Sequence, residues 1–396
     1  MEELTIEQLA TFQKGFAFKS SDYRDKGIRI IKVSNLNQQR FDDGSCVFID
    51  ESIAQQYARY ELATDDIVIS TVGSWINNPD SVVGKVACIP SSITGSLLNQ
   101  NAVRLRANDK IMQKYLYYAL SSDDFRNYIV GTAQGSANQA SITLDDIKKY
   151  SLSVPAYETQ SRIINILSSI ESKIELNQRI NDNLEQQAQA AFNNIIANST
   201  SDKTVQLAEI AWLNPKRSIS KGTIARSIEM AHLPTTGSFP SGWEMKEYNG
   251  GMKFQNGDTL MARITPCLEN GKVAFVNFLE DDEIAFGSTE YITMTPKRQF
   301  APEVLYFLVR NAEFIDFAVK NMNGSSGRQR VSADTIGTYE LPDITLEELH
   351  MLETIAREAL TKIKYNSLEN MRLAEMRDTL LPKLMSGELK INEIDC

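Results

Sequence analysis

Two polar, glycine-rich stretches carry side chains suited to reading the edges of nucleic-acid bases: Gln134-Gly135-Ser136-Ala137-Asn138-Gln139 and Asn323-Gly324-Ser325-Ser326-Gly327-Arg328-Gln329-Arg330. Arginine can bridge two acceptors of guanine, asparagine or glutamine can bridge the donor and acceptor of adenine, and glycine lets a backbone come close. Similar chemistry recurs in Lys14 to Ser20 and Ser74-Trp75-Ile76-Asn77-Asn78, and again in Arg263-Ile264-Thr265 and Asn270-Gly271-Lys272. Polar side chains read bases, whereas Lys, Arg, hydroxyls and backbone amides hold phosphate. The candidate contacts in the first half are therefore Lys14, Lys19, Ser20, Ser74, Asn77, Gln134, Ser136, Asn138 and Gln139. In the second half they are Arg263, Thr265, Asn270, Lys272, Asn323, Ser325, Arg328, Gln329 and Arg330. Each residue taken singly is equally a solvated turn residue, and Lys85 and Lys272 are equally ordinary strand lysines. The equivalent places of the two loops favour a shared role.

Catalytic constellations do not form. Asn214-Pro215-Lys216-Arg217 departs from the Asn/Asp-Pro-Pro-aromatic motif of a DNA methyltransferase, and no G-x-x-x-x-G-K-[ST] phosphate loop occurs. Pro79-Asp80 has no Glu-x-Lys behind it, as a metal-dependent nuclease would need. His232 and His350 are the only histidines, and Cys46, Cys88, Cys267 and Cys396 are scattered without a CxxC. That discourages hydrolase triads and a structural zinc site. The reading is a non-catalytic binder with no cofactor and no metal, whose chemistry would come from partners.

The elements that must position these residues are laid out twice, about 189 residues apart. Asp66-Ile67-Val68-Ile69 answers Asp258-Thr259-Leu260-Met261, and Gly84-Lys85-Val86-Ala87 answers Gly271-Lys272-Val273-Ala274. Tyr117 falls on Tyr306, Phe125 on Phe314 and Gly135-Ser136 on Gly324-Ser325. In the first copy, strands are expected at 28–33, 67–70, 82–87 and 102–105, a helix at about 111–128, a loop at 131–139 and a short capped helix after Ser141. Each copy then enters a long heptad helix free of glycine over its seam. The seams read Ile163, Leu167, Ile170, Ile174, Asn177, Asn181, Leu184, Ala188, Ala191, Ile195 and Leu352, Ala356, Ala359, Ile363, Asn366, Asn370, Leu373, Arg377, Leu380, Leu384. Asparagines at the same two positions of both seams would fix register and partner. A pseudo-twofold relation predicts that the helices pair with each other, antiparallel.

The net charge of −10 speaks against a uniformly basic binder. Residues 1–156 hold 16 basic and 18 acidic side chains and residues 201–342 hold 15 and 17, so most of the excess lies in the helical segments. That distribution fits basic groups gathered locally. MEELTIEQLATF lacks a basic-then-apolar leader, no run approaches a membrane span, and the expected location is the cytoplasm.

The order of these features resembles the specificity (S) subunits of type I restriction–modification systems. Ser151-Leu152-Ser153-Val154-Pro155 followed by Glu158-Thr159-Gln160-Ser161-Arg162-Ile163 is similar to that family's P-L-x-E-Q-x-x-I junction between a target recognition domain and a spacer helix. Leu381-Pro382-Lys383-Leu384-Met385-Ser386-Gly387-Glu388-Leu389 resembles its ending L-L-x-x-L-x-S-G-x-L. Gln13 to Ser20 and Leu213-Asn214-Pro215-Lys216 are similar to the motifs that open its domains, while Glu348 stands where Gln is usual in the second junction. The resemblance implies an α+β chain of two αβ target recognition domains joined by two long antiparallel coiled-coil helices. The expected bounds are 1–156 and 201–342 for the domains and 157–200 and 343–396 for the helices. It further implies double-stranded DNA as ligand, one half-site per domain. Two methyltransferase subunits would dock on the helices, restriction–motor subunits would join the complex, and no membrane would be involved. A coiled-coil adaptor without DNA specificity is the competing reading. It explains the helices but not two diverged domains with equivalent polar loops.

Overall fold

The computed structural model describes residues 2–35, 46–75, 83–136, 139–199, 201–297, 300–325 and 327–389. The chain forms two compact units, Met1–Glu171 with Ala374–Cys396, and Ser172–Leu373. Both long helices, Tyr157–Asn198 and Leu346–Ser386, contribute to both units.

In the first unit an antiparallel sheet runs in the order Ala10–Lys14, Ala102–Ala107, Ile67–Ser70, Val86–Cys88. The second unit repeats it with Ala211–Leu213, Tyr291–Pro296, Thr259–Ala262 and Val273–Phe275. The inner strands Ile67–Ser70 and Thr259–Ala262 are buried at every residue. A short unbroken apolar run suits a strand covered on both faces. Each begins at a buried aspartate whose carboxylate accepts the amide three residues upstream, Ala63 N–H to Asp66 at 2.7 Å and Gln255 N–H to Asp258 at 2.8 Å. The repeated Gly-Lys pairs have a backbone cause: Gly84 (φ 78°) and Gly271 (φ 67°) occupy the left-handed region, and a Cβ on Gly84 would lie 2.5 Å from Ile129 Cγ2.

Each unit adds a smaller sheet with one parallel pair, Ile28–Ile31 beside Leu97–Leu98 and Ile224–Ile228 beside Ala285–Gly287. A short antiparallel pair closes each copy, Glu2–Thr5 with Ser151–Val154 and Thr204–Gln206 with Glu340–Pro342.

Four local expectations need correction. The helix read over 111–128 is two helices, Gln113–Leu120 and Asp123–Thr132, because Ser122 restarts the chain as an N-cap whose hydroxyl accepts the Phe125 amide at 3.4 Å. Asn311 does the same between Pro302–Val309 and Ala312–Lys320. The strand read over 28–33 ends at Ile31, and of 82–87 only Val86 and Ala87 are in a strand, Val82 lying outside the described residues. The stretch read as a loop at 131–139 carries a strand, Gln134–Ser136, that pairs with Gln139–Ser141.

Within the first unit, Ile163 and Leu167 of the first long helix enter the same core as Leu384 of the second, with Leu380 packed against it. Full burial of such a side chain is worth about 1.5–3 kcal/mol. Within the second unit the helices run antiparallel through two amide pairs: Asn177 Nδ2 donates to Asn370 Oδ1 at 2.9 Å and Asn366 Nδ2 to Asn181 Oδ1 at 2.8 Å. Asn177 also donates to Glu369 at 2.7 Å, and Asn370 to the Ile174 carbonyl at 3.3 Å. Ile170, Leu352 and Ile363 are buried, whereas Ile174, Leu184 and Leu373 are half-buried. Beyond Leu184 the first helix turns Ala188, Phe192 and Ile195 into the core, so Phe192 takes the place expected of Ala191.

Carboxylates on that helix tie each unit to it. Tyr118 donates to Glu171 at 2.7 Å, and buried Tyr306 donates to Glu185 at 2.6 Å. Burial pushes the Glu185 carboxyl up, against the pull of Tyr306 and Arg310.

Candidate nucleic-acid interface

The second unit brings two of the polar stretches side by side at the end of its central strand. The segment Arg263–Thr265 and the segment Asn323–Val331 are stitched by Thr265 N–H to the Gln329 carbonyl (3.1 Å) and Val331 N–H to the Arg263 carbonyl (3.0 Å). Asn323 and Arg330 exchange both backbone hydrogen bonds at 2.9 Å, closing a short ribbon. Asn323, Ser325 and Arg328 are exposed on it, and Gln329 is half-buried.

The three arginines of this ribbon have different surroundings. Arg330 faces Glu290 in a fork, with Nε 2.9 Å from Oε2 and Nη2 2.7 Å from Oε1, while its Nη1 donates to the Arg328 carbonyl at 3.1 Å. Arg263 Nε reaches the same carboxylate at 3.3 Å. Arg328 is exposed, and among the described residues its guanidinium has no hydrogen-bond or ion-pair partner. Arg330 first, then Arg263, hold the Glu290 carboxyl below the usual carboxylate range. The pairing therefore contributes fully above the ordinary carboxylate pKa and is lost only as pH falls through the lowered one.

Asn270 sits in the tight turn that follows Thr265, its N–H on the Pro266 carbonyl at 3.0 Å. Lys272 is directed elsewhere: its Nζ donates to the Met230 carbonyl at 2.7 Å, which makes it a structural lysine of the turn.

The first unit builds the equivalent feature with other residues. Gln134–Ser136 pairs with Gln139–Ser141, which pairs with Val72–Gly73 at the end of the central strand. Half-buried Ser74 accepts the Val83 amide on its carbonyl at 3.0 Å. The Trp75 indole N–H donates to the Ser136 carbonyl at 2.7 Å, holding the ribbon to the segment after the strand. Gln134, Ser136 and Gln139 are exposed, while Asn77 and Asn138 lie outside the described residues. Lys14, at the end of the main-sheet strand Ala10–Lys14, and Lys19 and Ser20 are exposed, and between them Phe16 and Phe18 pack on each other and on the rings of Tyr57 and Tyr60. Gly15 is required there because a Cβ would stand 1.8 Å from the Asn99 carbonyl oxygen.

Trp75→Phe keeps the ring and removes the donor. It is expected to loosen 134–141 by about 0.5–1.5 kcal/mol, read as faster amide hydrogen exchange there with the main sheet unchanged. Unchanged exchange in the ribbon would show that the indole does not hold it.

Sequence reasoning missed Glu290, which organises two of the three arginines, and the Tyr118–Glu171 and Tyr306–Glu185 anchors. Tyr306 was visible as a match to Tyr117, but nothing in the sequence singles out Glu290 in Gly287-Ser288-Thr289-Glu290-Tyr291.

Among the described residues no helix is long and apolar enough to cross a membrane. The family model for the type I restriction modification DNA specificity domain matches residues 1–186. The HindI specificity subunit of Haemophilus influenzae is 23% identical over 357 residues, covering 70% of this chain and 78% of the relative. The MjaIX specificity subunit of Methanocaldococcus jannaschii is 23% identical over 345 residues, covering 79% and 76%. In fold, the chain is similar to the crystal structure of a type I restriction–modification S subunit from M. genitalium, with a TM-score of 0.59 and 17% identity over 97% of this chain and 96% of that one. Residues 1–186 thus belong to the family of the type I restriction modification DNA specificity domain, and over 70–79% of its length the chain is similar to specificity subunits of type I restriction–modification systems.

Proposed function

We propose that the two recognition domains, 1–156 and 201–342, each read one half of a split DNA target. The observation that carries this is the pair of equivalent ribbons, Gln134–Ser141 and Asn323–Val331, built on the same strand end with different exposed side chains. A two-stranded ribbon fits the major groove of B-DNA, where each base pair presents its own donor and acceptor pattern. Half-sites on one face of the duplex lie about one helical turn apart, roughly 34 Å. The long helices, Tyr157–Asn198 and Leu346–Ser386, set that spacing. They also dock two methyltransferase subunits, which restriction–motor subunits join, and exposed Leu176, Tyr365 and Met376 are apolar groups on them that such partners would cover. The chain itself contributes recognition, its partners contribute methylation and cleavage, and the complex works in the cytoplasm.

Methylome sequencing of cells expressing this chain with its methyltransferase is expected to return one split, asymmetric methylated motif. Inserting a heptad at matched points of both long helices adds about 10 Å, roughly three base pairs of rise. It should lengthen the gap and leave both half-sites unchanged. A contiguous motif, or altered half-sites at the original gap, would refute this reading.

A further inference from the structure

We propose that Glu290 and Arg330 form a positioning strut that presents Arg328 and Gln329 to the bases of the second half-site. The inference rests on the DNA-reading role proposed above and assigns the parts of one ribbon.

All three nitrogens of the Arg330 guanidinium are engaged: Nε and Nη2 on the Glu290 carboxylate, and Nη1 on the Arg328 carbonyl at 3.1 Å. A bidentate contact to guanine needs two free, coplanar N–H groups. Of its five N–H donors these bonds use three, and the two that remain sit on a guanidinium held in place by a charge-assisted fork, the stronger kind of hydrogen bond. Glu290 is in turn fixed to the sheet. Its carbonyl accepts the Arg263 amide at 3.0 Å, its own amide donates to Ser288 Oγ at 3.1 Å, and the next residue, Tyr291, opens a central strand and is fully buried.

The consequence falls on the two neighbouring peptides. Arg330 Nη1 pins the Arg328 carbonyl and the Thr265 amide pins that of Gln329, at 3.1 Å in each case. The backbone beneath both side chains is thereby held while the Arg328 guanidinium stays exposed. A reader on a fixed backbone loses less freedom on binding, and its geometry discriminates between bases more sharply. The other unit secures its equivalent ribbon through the Trp75 indole on the Ser136 carbonyl.

The test uses the full chain assembled with its methyltransferase subunits. The probes are duplexes carrying the motif methylated by the parent and each single-base variant of the half-site read by residues 201–342, at several salt concentrations. Glu290→Gln keeps shape but loses the charged fork, and Arg330→Lys keeps charge but cannot form it. Each is expected to lower discrimination at one or two base pairs of that half-site by about tenfold, the scale of one good bidentate contact. Arg328→Ala should relax the same positions. The Arg330→Lys salt dependence should match the parent, since no phosphate contact is lost. Combining Glu290→Gln with Arg330→Lys should add little to either alone. Hydrogen exchange in Tyr291–Pro296 serves as the folding control.

Glu290→Gln that tightens binding to every duplex alike, with a steeper salt slope, would make Glu290 a charge opposing phosphate and overturn the strut. Variants that retain full discrimination would overturn the strut alone. A parent complex with no sequence preference would overturn the reading function, and the strut with it.

Discussion

Asp258→Ala is expected to cost about 3–5 kcal/mol, the usual penalty for stranding one partner of a buried ion pair. Arg217 Nη2 lies 2.7 Å from Asp258 Oδ1, with the side chains 7% and 0% exposed. Its remaining partners would be Gln255 at 3.0 Å and Thr295 at 3.0 Å, neither of them charged. Among the described residues Nη1 already lacks a hydrogen-bond partner, so none of them offers it a spare acceptor. The equivalent change in the first unit, Asp66→Ala, should cost less, about 1–3 kcal/mol. There Arg106 is 44% exposed and can turn its charge to water, leaving chiefly the Ala63 amide without its acceptor. The comparison is made by hydrogen exchange of the full chain, on Thr259–Ala262 for one variant and Ile67–Ser70 for the other. Equal losses in the two units would show that access to water does not set the difference.

Asn177, Asn181, Asn366 and Asn370 should respond in opposite directions to single and to joint replacement. Asn177→Ala alone leaves the Asn370 side-chain carbonyl without its donor in the helix pair, while half-exposed Glu369 keeps Lys173 at 3.2 Å. It should cost about 1–3 kcal/mol. Replacing all four by Leu removes every amide at once, and trading both partners of a buried hydrogen bond for apolar groups is about neutral or stabilising. The quadruple variant should therefore melt at or above the parent temperature. What it loses is the requirement that amide meet amide, the feature that selects one register and one partner. Light scattering should show self-association absent from the parent, and assembly with the methyltransferase should become less faithful. If the losses of the single variants simply add in the quadruple variant, the amides do not act as pairs.

The frame of this protein was legible in its residues because the signals behind it are local. A strand covered on both faces needs a short apolar run, and Ile67-Val68-Ile69 and Thr259-Leu260-Met261 supply it. A helix pair needs apolar residues every three or four positions, and the seams from Ile163 and from Leu352 supply those, interrupted only by two asparagines in each and by Arg377. Even the amide pairs follow from the repeat, because asparagines at matching positions of two antiparallel copies must meet crosswise. Small caps were harder to read. Ser122 and Asn311 break what periodicity presents as one helix, since a side-chain oxygen competing for a backbone amide leaves no mark on the apolar pattern.

The assignment of roles within the polar ribbons was a tertiary decision. Arg328 and Arg330 are alike in the sequence, two residues apart in one glycine-rich stretch. They differ because Glu290, 40 residues before Arg330, takes one guanidinium and leaves the other exposed. Lys272 likewise looks available beside a glycine, until the Met230 carbonyl, 42 residues away, takes its ammonium. Periodicity and composition report which face of an element is apolar. Which charge remains free depends on where the fold carries a distant carboxylate or carbonyl, and ion-pair geometry of that kind has no period for a sequence to display.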